Sequence, residues 1–292
     1  MNLLLYNPAA GSGLAERIAP KAESMLKARV DQLRVARSER PGHAEELARS
    51  AANDGARNIF VLGGDGTVIE AARGVYPTRT ALALIPAGTG NDFRKSLNIP
   101  SKWDDALLYA LKHDPIAVDA GMINGRLFVN ECGAGFDTVT LEYALLSKRF
   151  THGKAAYLYG VIRAMLDNKP VELTVVREDG TEQTRLLTLF GAANGGVIGG
   201  GIPVSPEASV FDGMLDVVTV PAMPRRKLIR ALALLLRGKI AEIPGAETFR
   251  CAQIAVRGRN LKINVDGEIT AQDSALIKIV PGALMIRARA PQ

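Results

Sequence analysis

The fold of the N-terminal half is decided by residues 58–70, which read NIFVLGGDGTVIE. The apolar run at its start predicts a buried strand, and a helix-like segment follows the glycine-rich turn. Glycines leave the backbone N–H groups of such a turn open to an anion, which the N-terminus of the next helix also favours. Asp65 would repel phosphate unless a cation intervenes, so the turn predicts a metal-bridged polyphosphate. The alternative is that Asp65 or Thr67 simply caps the helix.

Strands and helices alternate on both sides of this turn. Further strands are predicted at 3–6, 32–36, 81–86 and 117–121, and helices at 14–29 (with Pro20 as a break or late start), 41–53 and 103–112 (with Ser101 as cap). Alternation of this kind predicts an α/β domain with a parallel sheet, which binds ligands at the carboxyl ends of its strands. The polar residues that follow such ends are Ser38, Asp65, Thr89, Asp92 and Asp119. We therefore predict a three-layer α/β domain over residues 1–120, with a ligand site at the carboxyl ends of its strands.

From residue 121 onward the pattern changes to short strands joined by turns. Asn124-Gly125 and residues 178–181 favour hairpin turns, and residues 257–260 favour a further turn. Strands are predicted at 127–131, 171–177, 185–192, 214–220, 252–256, 261–265 and 275–280, and helices at about 138–148 and 154–168. The sequence predicts a mainly antiparallel β domain with inserted helices over residues 121–292. One alternative is that the last strand of the chain belongs to the sheet of the first domain.

Composition narrows the class of protein. The net charge of +6 favours an anionic partner such as a nucleotide or an acidic lipid. Nucleic acid is excluded as the expected partner, because the sequence has no zinc-finger spacing, aromatic-rich binding strand or recognition helix. The two cysteines, Cys132 and Cys251, form no disulfide framework and suit a reducing compartment. The start lacks a secretory signal and no apolar run could cross a bilayer, so we expect a cytoplasmic location.

The glycine-rich turns resemble those of a known family. Residues 63–67 (GGDGT) and 88–93 (GTGNDF) are similar to the catalytic domain of the diacylglycerol kinase family, and most of all to its soluble bacterial lipid kinases. The resemblance continues through residues 194–196, 199–201 and 205–216, and it ends at residues 265–268. It covers nearly the whole chain in the family's order. GGDGT alone is shared with NAD kinases and sphingosine kinases, whereas the full set is specific.

The resemblance implies that the first domain is a nucleotide-binding domain, with an ATP site and a set of catalytic acids. The residues matched to ATP contacts are Asn7, Pro8, Ala9, Ala10, Gly11, Ser38, Gly64, Asp65, Gly66, Thr67, Val68, Ile69, Glu70 and Thr89. Ser38 stands where relatives often have threonine, and His43 stands where they often have aspartate, so no role is carried over for that acid. Asp65, Asp92 and Asp119 match acids associated with Mg²⁺ and its bound waters. Asp92 could equally cap a helix.

In the second domain, Glu268 matches the family's proposed general base, which takes the proton of the acceptor hydroxyl as the phosphoryl group arrives. The alternative for residues 266–268 is a plain hairpin turn, which Asp-Gly favours. Asp212, with the backbone carbonyls of Ser209 and Met214, matches a second Mg²⁺ site that shapes the domain. The alternative there is a turn without metal.

Residues 224–239, PRRKLIRALALLLRGK, predict a basic helix without acids. Such a helix could lie on an anionic bilayer, or its leucines could pack against a sheet while its arginines are solvated. We expect the leucines to pack and the basic face to turn toward lipid.

The sequence thus predicts an ATP- and Mg²⁺-dependent lipid kinase that phosphorylates a hydroxyl of diacylglycerol or a related glycerolipid. We expect it in the cytoplasm, peripherally associated with the inner membrane surface. Two alternatives are an NAD kinase and a non-catalytic nucleotide- or lipid-binding regulator. The sequence does not predict an oligomeric state, and a homodimer is one alternative.

Overall fold

In the computed structural model, which describes residues 1–147 and 154–290, the chain divides into two units. The first comprises Met1–Ala120 and Pro281–Gln292, and the second comprises Gly121–Val280. Up to residue 112 the elements are β1 (Asn2–Tyr6), α1 (Leu14–Lys27), β2 (Leu33–Arg37), α2 (His43–Asn53), β3 (Asn58–Gly63), α3 (Asp65–Val75), β4 (Ala81–Pro86), α4 (Phe93–Ser96) and α5 (Trp103–Lys112).

The remaining elements belong mainly to the second unit. They are β5 (Pro115–Ile123), β6 (Arg126–Phe128), β7 (Glu131–Gly135), α6 (Phe136–Ser147), α7 (Lys154–Asp167), β8 (Val171–Val176), β9 (Glu182–Ala193), β10 (Leu215–Pro221), α8 (Arg225–Leu235), a 3₁₀ helix (Ile240–Glu242), β11 (Glu247–Cys251), β12 (Gln253–Val265) and β13 (Glu268–Arg287). None of the described helices is long and apolar enough to span a membrane.

The first unit is built on a parallel sheet. Its strands pair in the order β2, β1, β3, β4 and the C-terminal part of β13. Leu4 and Phe60 pack on one face with α1 and α5. Side chains alternate along a strand, so the buried Leu3 and Leu5 face the opposite side, where α2 contacts β1 and α3 contacts β3. Both faces are thus covered by helices, which is why the strands read as continuous apolar runs.

The second unit pairs its strands antiparallel. β12 pairs with β13, β7 and β8, β9 pairs with β7, β8 and β10, β10 pairs with β11, and β5 pairs with β6. Its core contains the buried Phe128 and Phe190. Asn124-Gly125 joins β5 to β6 with both residues at positive φ, as predicted for that hairpin.

Several sequence-based boundaries were wrong. α1 runs without a break through the exposed Pro20. Proline has no N–H, so the carbonyl of Glu16 loses its helical hydrogen bond. Glu16 is itself exposed. Ser101 does not cap α5, because the N-cap is Lys102 and no side chain bonds there. The helix predicted at 138–148 begins at Phe136, and residue 148 lies outside the described residues.

Three of the predicted strands were also wrong in their limits. The strand predicted at 127–131 is divided into β6 and β7, because the N–H groups of Val129 and Asn130 donate to the Asp266 carboxylate instead of a neighbouring strand. The strands predicted at 252–256 and 261–265 are a single strand, β12. The turn expected at 257–260 is a register shift within that strand, which is a bulge rather than a reversal.

Candidate active site

The loops that follow the parallel strands are held side by side by backbone hydrogen bonds. The Asn7 N–H donates to the Leu62 carbonyl at 3.2 Å, and the Ala87 N–H donates to the Gly63 carbonyl at 2.8 Å. The Ser38 N–H donates to the Tyr6 carbonyl at 2.9 Å. The loops after β1, β2, β3 and β4 therefore meet at one edge of the sheet, the edge at which such sheets bind ligands.

Glycines allow these loops to approach one another closely. A Cβ on Gly11, which has φ of +60°, would lie 2.1 Å from the Ala87 carbonyl oxygen. A Cβ on Gly88 would lie 2.4 Å from the Cα of Gly64. The Asn91 side chain holds the same turn by bonding the N–H of Gly88 at 3.0 Å and its carbonyl at 2.7 Å. Only glycine fits at positions 11 and 88. The absence of side chains there leaves the backbone open to a ligand.

The residues matched to ATP contacts fall into two groups by exposure. Residues 7–11 and 64–66 are exposed or half-buried, and Thr89 is exposed. Ser38 is buried directly after β2, and Thr67, Val68 and Ile69 are buried in the first turns of α3. The exposed group consists of loop and helix-start residues, whose N–H groups have no partner within a helix.

Glu70 has a local role that the sequence did not reveal. Its two carboxylate oxygens accept from the Gly42 N–H at 2.9 Å and from the Ala44 N–H at 3.1 Å. Both donors lie at the start of α2, so Glu70 satisfies that helix N-terminus from a neighbouring helix. No sequence signal could locate this contact, because the partners are 26 and 28 residues away.

Asp65 caps a helix, but not the one expected from the sequence. The N-cap of α3 is Gly64, without a side-chain cap. Asp65 Oδ1 instead accepts from the N–H of Asp92 at 2.6 Å and from that of Phe93 at 3.4 Å, at the start of α4. Burial raises the pKa of Asp65, as does the negative charge of Asp92, while the backbone donors lower it in part. Two neighbouring carboxylates of this kind are stabilised by a cation.

Asp92 and Asp119, the other two acids predicted in this unit, are both buried. Asp92 Oδ1 contacts Lys95 Nζ at 2.6 Å, and its side chain does not cap α4. Asp119 Oδ1 accepts from the Gly282 N–H at 2.7 Å. Within residues 1–147 and 154–290, no group of three or more His, Cys, Asp or Glu is placed to hold a metal. The donors fit Mg²⁺ held by one or two carboxylates together with substrate phosphates.

In the second unit, Glu268 is presented by a tight turn. Asp266 and Gly267 have φ of +49° and +89° and join β12 to β13, so the Asp-Gly turn expected from the sequence is present. Glu268 is the first residue of β13, where its half-exposed carboxylate forms an ion pair with Arg126. The turn and the exposed carboxylate therefore occur together.

The turn is anchored by the Asp266 carboxylate. Its oxygens accept from three successive backbone N–H groups, those of Val129 at 2.6 Å, Asn130 at 3.0 Å and Glu131 at 3.1 Å. All three donor residues are buried. Asp266 thereby joins the β12–β13 turn to the segment between β6 and β7.

A second support comes from Asp137, a buried acid in the first turn of α6. Its Oδ2 accepts from Asn264 Nδ2 at 2.7 Å, and Asn264 Oδ1 accepts from the Gly267 N–H at 2.8 Å. Burial raises the pKa of Asp137 to about 6, and the Asn264 bond lowers it in part. Sequence reasoning missed this residue, although an acid just inside a helix start is a known signal.

Replacing Asp137 by asparagine should remove a pH dependence from the stability of the protein. Between about pH 4 and pH 6 the folded chain keeps the Asp137 proton and the unfolded chain loses it, so stability falls as pH rises. The fall amounts to about 2–3 kcal/mol and is complete above the folded pKa. Chemical unfolding measured across this range should show the difference in stability between the wild type and Asp137→Asn changing by this amount, with the wild type losing stability relative to the variant as pH rises.

The matched control is Asp273→Asn, because Asp273 is exposed and accepts a single backbone bond from Asn260 at 3.0 Å. Its profile should run parallel to that of the wild type. Parallel profiles for Asp137→Asn and the wild type would contradict the assignment of a buried, proton-binding carboxyl to Asp137.

The loop matched to a second Mg²⁺ site is an Asp-Gly turn. Asp212 Oδ1 accepts from the Met214 N–H at 3.1 Å, and Gly213 has φ of +70°. Asp212 is exposed and lies 3.8 Å from Arg250, while Ser209 is half-buried. The exposed Asp212 carboxylate is a suitable hard ligand for Mg²⁺.

Comparison with known proteins defines the class. Residues 2–123 match the family described as the diacylglycerol kinase catalytic domain. Residues 130–288 match the YegS C-terminal NAD kinase beta sandwich-like domain. The chain belongs to the family of bacterial diacylglycerol and lipid kinases, which confirms the resemblance drawn from its motifs.

Two curated relatives illustrate the match. The "Diacylglycerol kinase" of Mycobacterium tuberculosis H37Rv is 30% identical over 97% of this chain and 93% of its own length. The "Probable lipid kinase YegS-like" of Pseudomonas putida is 32% identical over 83% of this chain and 81% of its own length.

Solved structures show the same fold. A diacylglycerol kinase from Bacillus anthracis superposes with a TM-score of 0.75 at 21% identity, covering 99% of this chain and 96% of that one. An NAD kinase from Archaeoglobus fulgidus in complex with ATP gives 0.54 at 16% identity, covering 96% and 92%. The predicted mixed α/β fold, with an N-terminal α/β domain and a C-terminal antiparallel β domain, is confirmed.

Proposed function

We propose that this protein is an ATP- and Mg²⁺-dependent kinase that phosphorylates a hydroxyl of diacylglycerol or a related glycerolipid. The observation that carries the proposal is the anchored turn of the second unit, which presents the carboxylate of Glu268, the residue whose motif matches the family's general base. The match over nearly the whole chain to diacylglycerol and lipid kinases supports it.

ATP is bound in this proposal by the loops at the strand ends of the first unit. The triphosphate lies against the glycine-rich backbone of residues 7–11 and 63–66, beside the N-terminus of α3, because the N-terminus of a helix favours an anion. Ser38 and Thr89 supply hydroxyls at the ends of β2 and β4. The close approach of Gly64 to Gly88 keeps side chains out of this region.

Mg²⁺ fits the acids of the same unit. Asp92 is close enough to Asp65 for its negative charge to raise the pKa of Asp65. Asp119 is included because it matches a third acid of the family. When bound, Mg²⁺ offsets the negative charge of the transferring phosphoryl group. Asp65 and Asp92 would hold and orient the ion, and Asp119 would accept hydrogen bonds from its bound waters. A second Mg²⁺ on Asp212, with the carbonyls of Ser209 and Met214, would order the loop in which they lie.

Glu268 performs the proton transfer. Its carboxylate accepts the proton of the lipid hydroxyl, the hydroxyl oxygen bonds to the γ-phosphorus, and the bond from that phosphorus to the β,γ-bridging oxygen breaks to release ADP. Arg126 holds the carboxylate before the lipid arrives. Because the acceptor is a lipid, we propose that the protein acts in the cytoplasm at the inner membrane surface. It acts there as a monomer or as a homodimer.

NAD kinase is the second candidate, because the second unit matches an NAD kinase-like domain and the fold is shared with a solved NAD kinase. The test is incubation of the purified protein with labelled ATP, Mg²⁺ and mixed micelles that each carry one acceptor. The acceptors are diacylglycerol, monoacylglycerol, phosphatidylglycerol, sphingosine, ceramide and, in solution, NAD. We expect label on a glycerolipid. Label on NAD alone would overturn the proposal, and ATP binding without label on any acceptor would favour a regulator.

A further inference from the structure

Apolar side chains are concentrated on the outside of three helices of the second unit. Among the described residues twelve large apolar side chains are markedly exposed, and eight of them lie on α6, α7 and α8 or directly after α8. We call these eight the apolar helix surface: Leu145, Leu146, Leu158, Tyr159, Ile162, Leu166, Ile229 and Leu236. So strong a concentration on one set of elements marks an interaction site.

On α7 the exposed apolar residues form one stripe. Leu158, Ile162 and Leu166 are spaced four apart and are 60%, 51% and 53% exposed. Residues four apart lie on one face of a helix. The opposite face is held against α6, since a Cβ on Gly160 would lie 2.2 Å from the Thr140 carbonyl oxygen. The stripe is therefore directed away from the packed side of the helix.

The exposed side of α8 is basic. The helix packs through Ala231 against a cluster that includes residues of β9 and β10, as the leucine spacing predicted. Its exposed cations are Arg225, Arg226, Lys227 and Arg230. Within the part of the chain that the structure describes, none of these four forms an ion pair. A cluster of exposed positive charge on a helix without acids favours an anionic partner.

The basic end of α8 lies beside the stripe. Asn168, directly after α7, donates from Nδ2 to the carbonyl of Met223, just before α8, at 3.1 Å, and the two helices contact each other. The first turn of α8 is thereby placed next to the Leu166 end of the stripe. The apolar stripe of α7 and the cations of α8 are thus on neighbouring elements whose ends meet.

We propose that the apolar helix surface docks on an anionic lipid bilayer, with the α7 stripe in the acyl boundary and the α8 cations at the lipid phosphates. Apolar insertion combined with basic residues at the headgroups is how interfacial helices bind membranes. This extends the proposed function, because a lipid acceptor resides in a bilayer. The docking itself needs no phosphoryl transfer.

Charge argues for lipid over a second copy of this chain. A two-fold interface sets the same patch against itself, which brings the four cations toward those of the partner. The acids nearby on α6 and α7 are already paired, Glu142 with Lys262 and Asp167 with Lys169 at 3.0 Å. They are not available to neutralise a second set of cations.

The test is sedimentation of the full-length protein with vesicles of phosphatidylcholine, with and without phosphatidylglycerol. We expect binding that requires phosphatidylglycerol and weakens at high salt. Ile162→Glu should weaken it about tenfold or more, because it charges an inserted position. Arg226→Gln with Arg230→Gln should weaken it roughly fivefold for each charge removed. All of these positions are exposed, so thermal unfolding should be unchanged.

Matched controls come from the same chain. Leu108→Glu replaces an exposed leucine (44%) on α5, and Arg259→Gln with Lys278→Gln removes two exposed cations of the β12–β13 hairpin. Both should bind vesicles as the wild type does. Absence of wild-type binding, or equal binding by the surface variants, would overturn the proposal. So would a lipid-free dimer that Ile162→Glu dissociates.

Phosphorylation of a dissolved short-chain diacylglycerol separates this inference from the proposed function. An active protein that ignores vesicles overturns the docking alone. A protein that binds vesicles but phosphorylates no acceptor supports the docking and overturns the kinase assignment.

Discussion

Replacing Glu268 by glutamine is expected to lower the rate of phosphoryl transfer to lipid by about 10²–10⁴-fold, the range typical for loss of a general base. Glutamine keeps the shape of the side chain but cannot take the acceptor's proton. ATP affinity should be unchanged, because Glu268 is not among the residues assigned to the nucleotide. The measurements are the initial rate on the preferred lipid and equilibrium binding of ATP.

Folding should survive this substitution. The ion pair of Glu268 with Arg126 is half exposed, and such pairs contribute only about 0–1 kcal/mol. Glu182→Gln is the matched control, since Glu182 is also an exposed glutamate of the second unit paired with an arginine, Arg257, at 3.1 Å. It should leave the rate within about twofold of the wild type. A Glu268→Gln enzyme as fast as Glu182→Gln would remove Glu268 from the chemistry.

Replacing Asp266 by alanine is expected to destabilise the protein by about 3–5 kcal/mol, because three buried N–H groups lose their acceptor at once. These are the donors of Val129, Asn130 and Glu131. The free energy of unfolding by denaturant measures the effect. Asp266 also shapes the turn before Glu268, so any folded fraction should lose activity as well.

Asp273→Ala serves as the control here, since one exposed acceptor bond to Asn260 is lost. It should destabilise by about 1 kcal/mol or less. If Asp266→Ala does not fold, Asp266→Asn still tests the idea, because the amide keeps one acceptor oxygen but sets an N–H against one of the donors. Equal stability of the Asp266 and Asp273 variants would show that the three N–H groups find other acceptors.

The first unit was largely predictable because its signals are local. An apolar run followed by glycine places the Asp65 turn at the end of β3, and the same pattern places residues 87–91 after β4. The hydrogen-bond partners of Asp65 could not be predicted in this way, because they are distant in sequence. Its donors, Asp92 and Phe93, are 27 and 28 residues further on, so a cap was foreseen and the wrong helix was chosen.

The second unit shows the same division. Asp266-Gly267 predicts a turn from two adjacent residues, and the turn is present. The anchors of that turn come from far along the chain, since Val129 is 137 residues away and Asp137 lies 127 residues from Asn264. Arg126 lies 142 residues from Glu268, and no spacing rule reaches across such a distance.

The sequence by itself determined the family, the order of strands and helices and the acids that we propose for the chemistry, because hydrophobic period, turn glycines and motif order are properties of neighbouring residues. Only the tertiary structure decided which acids are engaged by backbone N–H groups, which carboxyl holds its proton to about pH 6, and which faces of α7 and α8 stay exposed. Burial and hydrogen-bond partners depend on residues that folding brings together from distant parts of the chain.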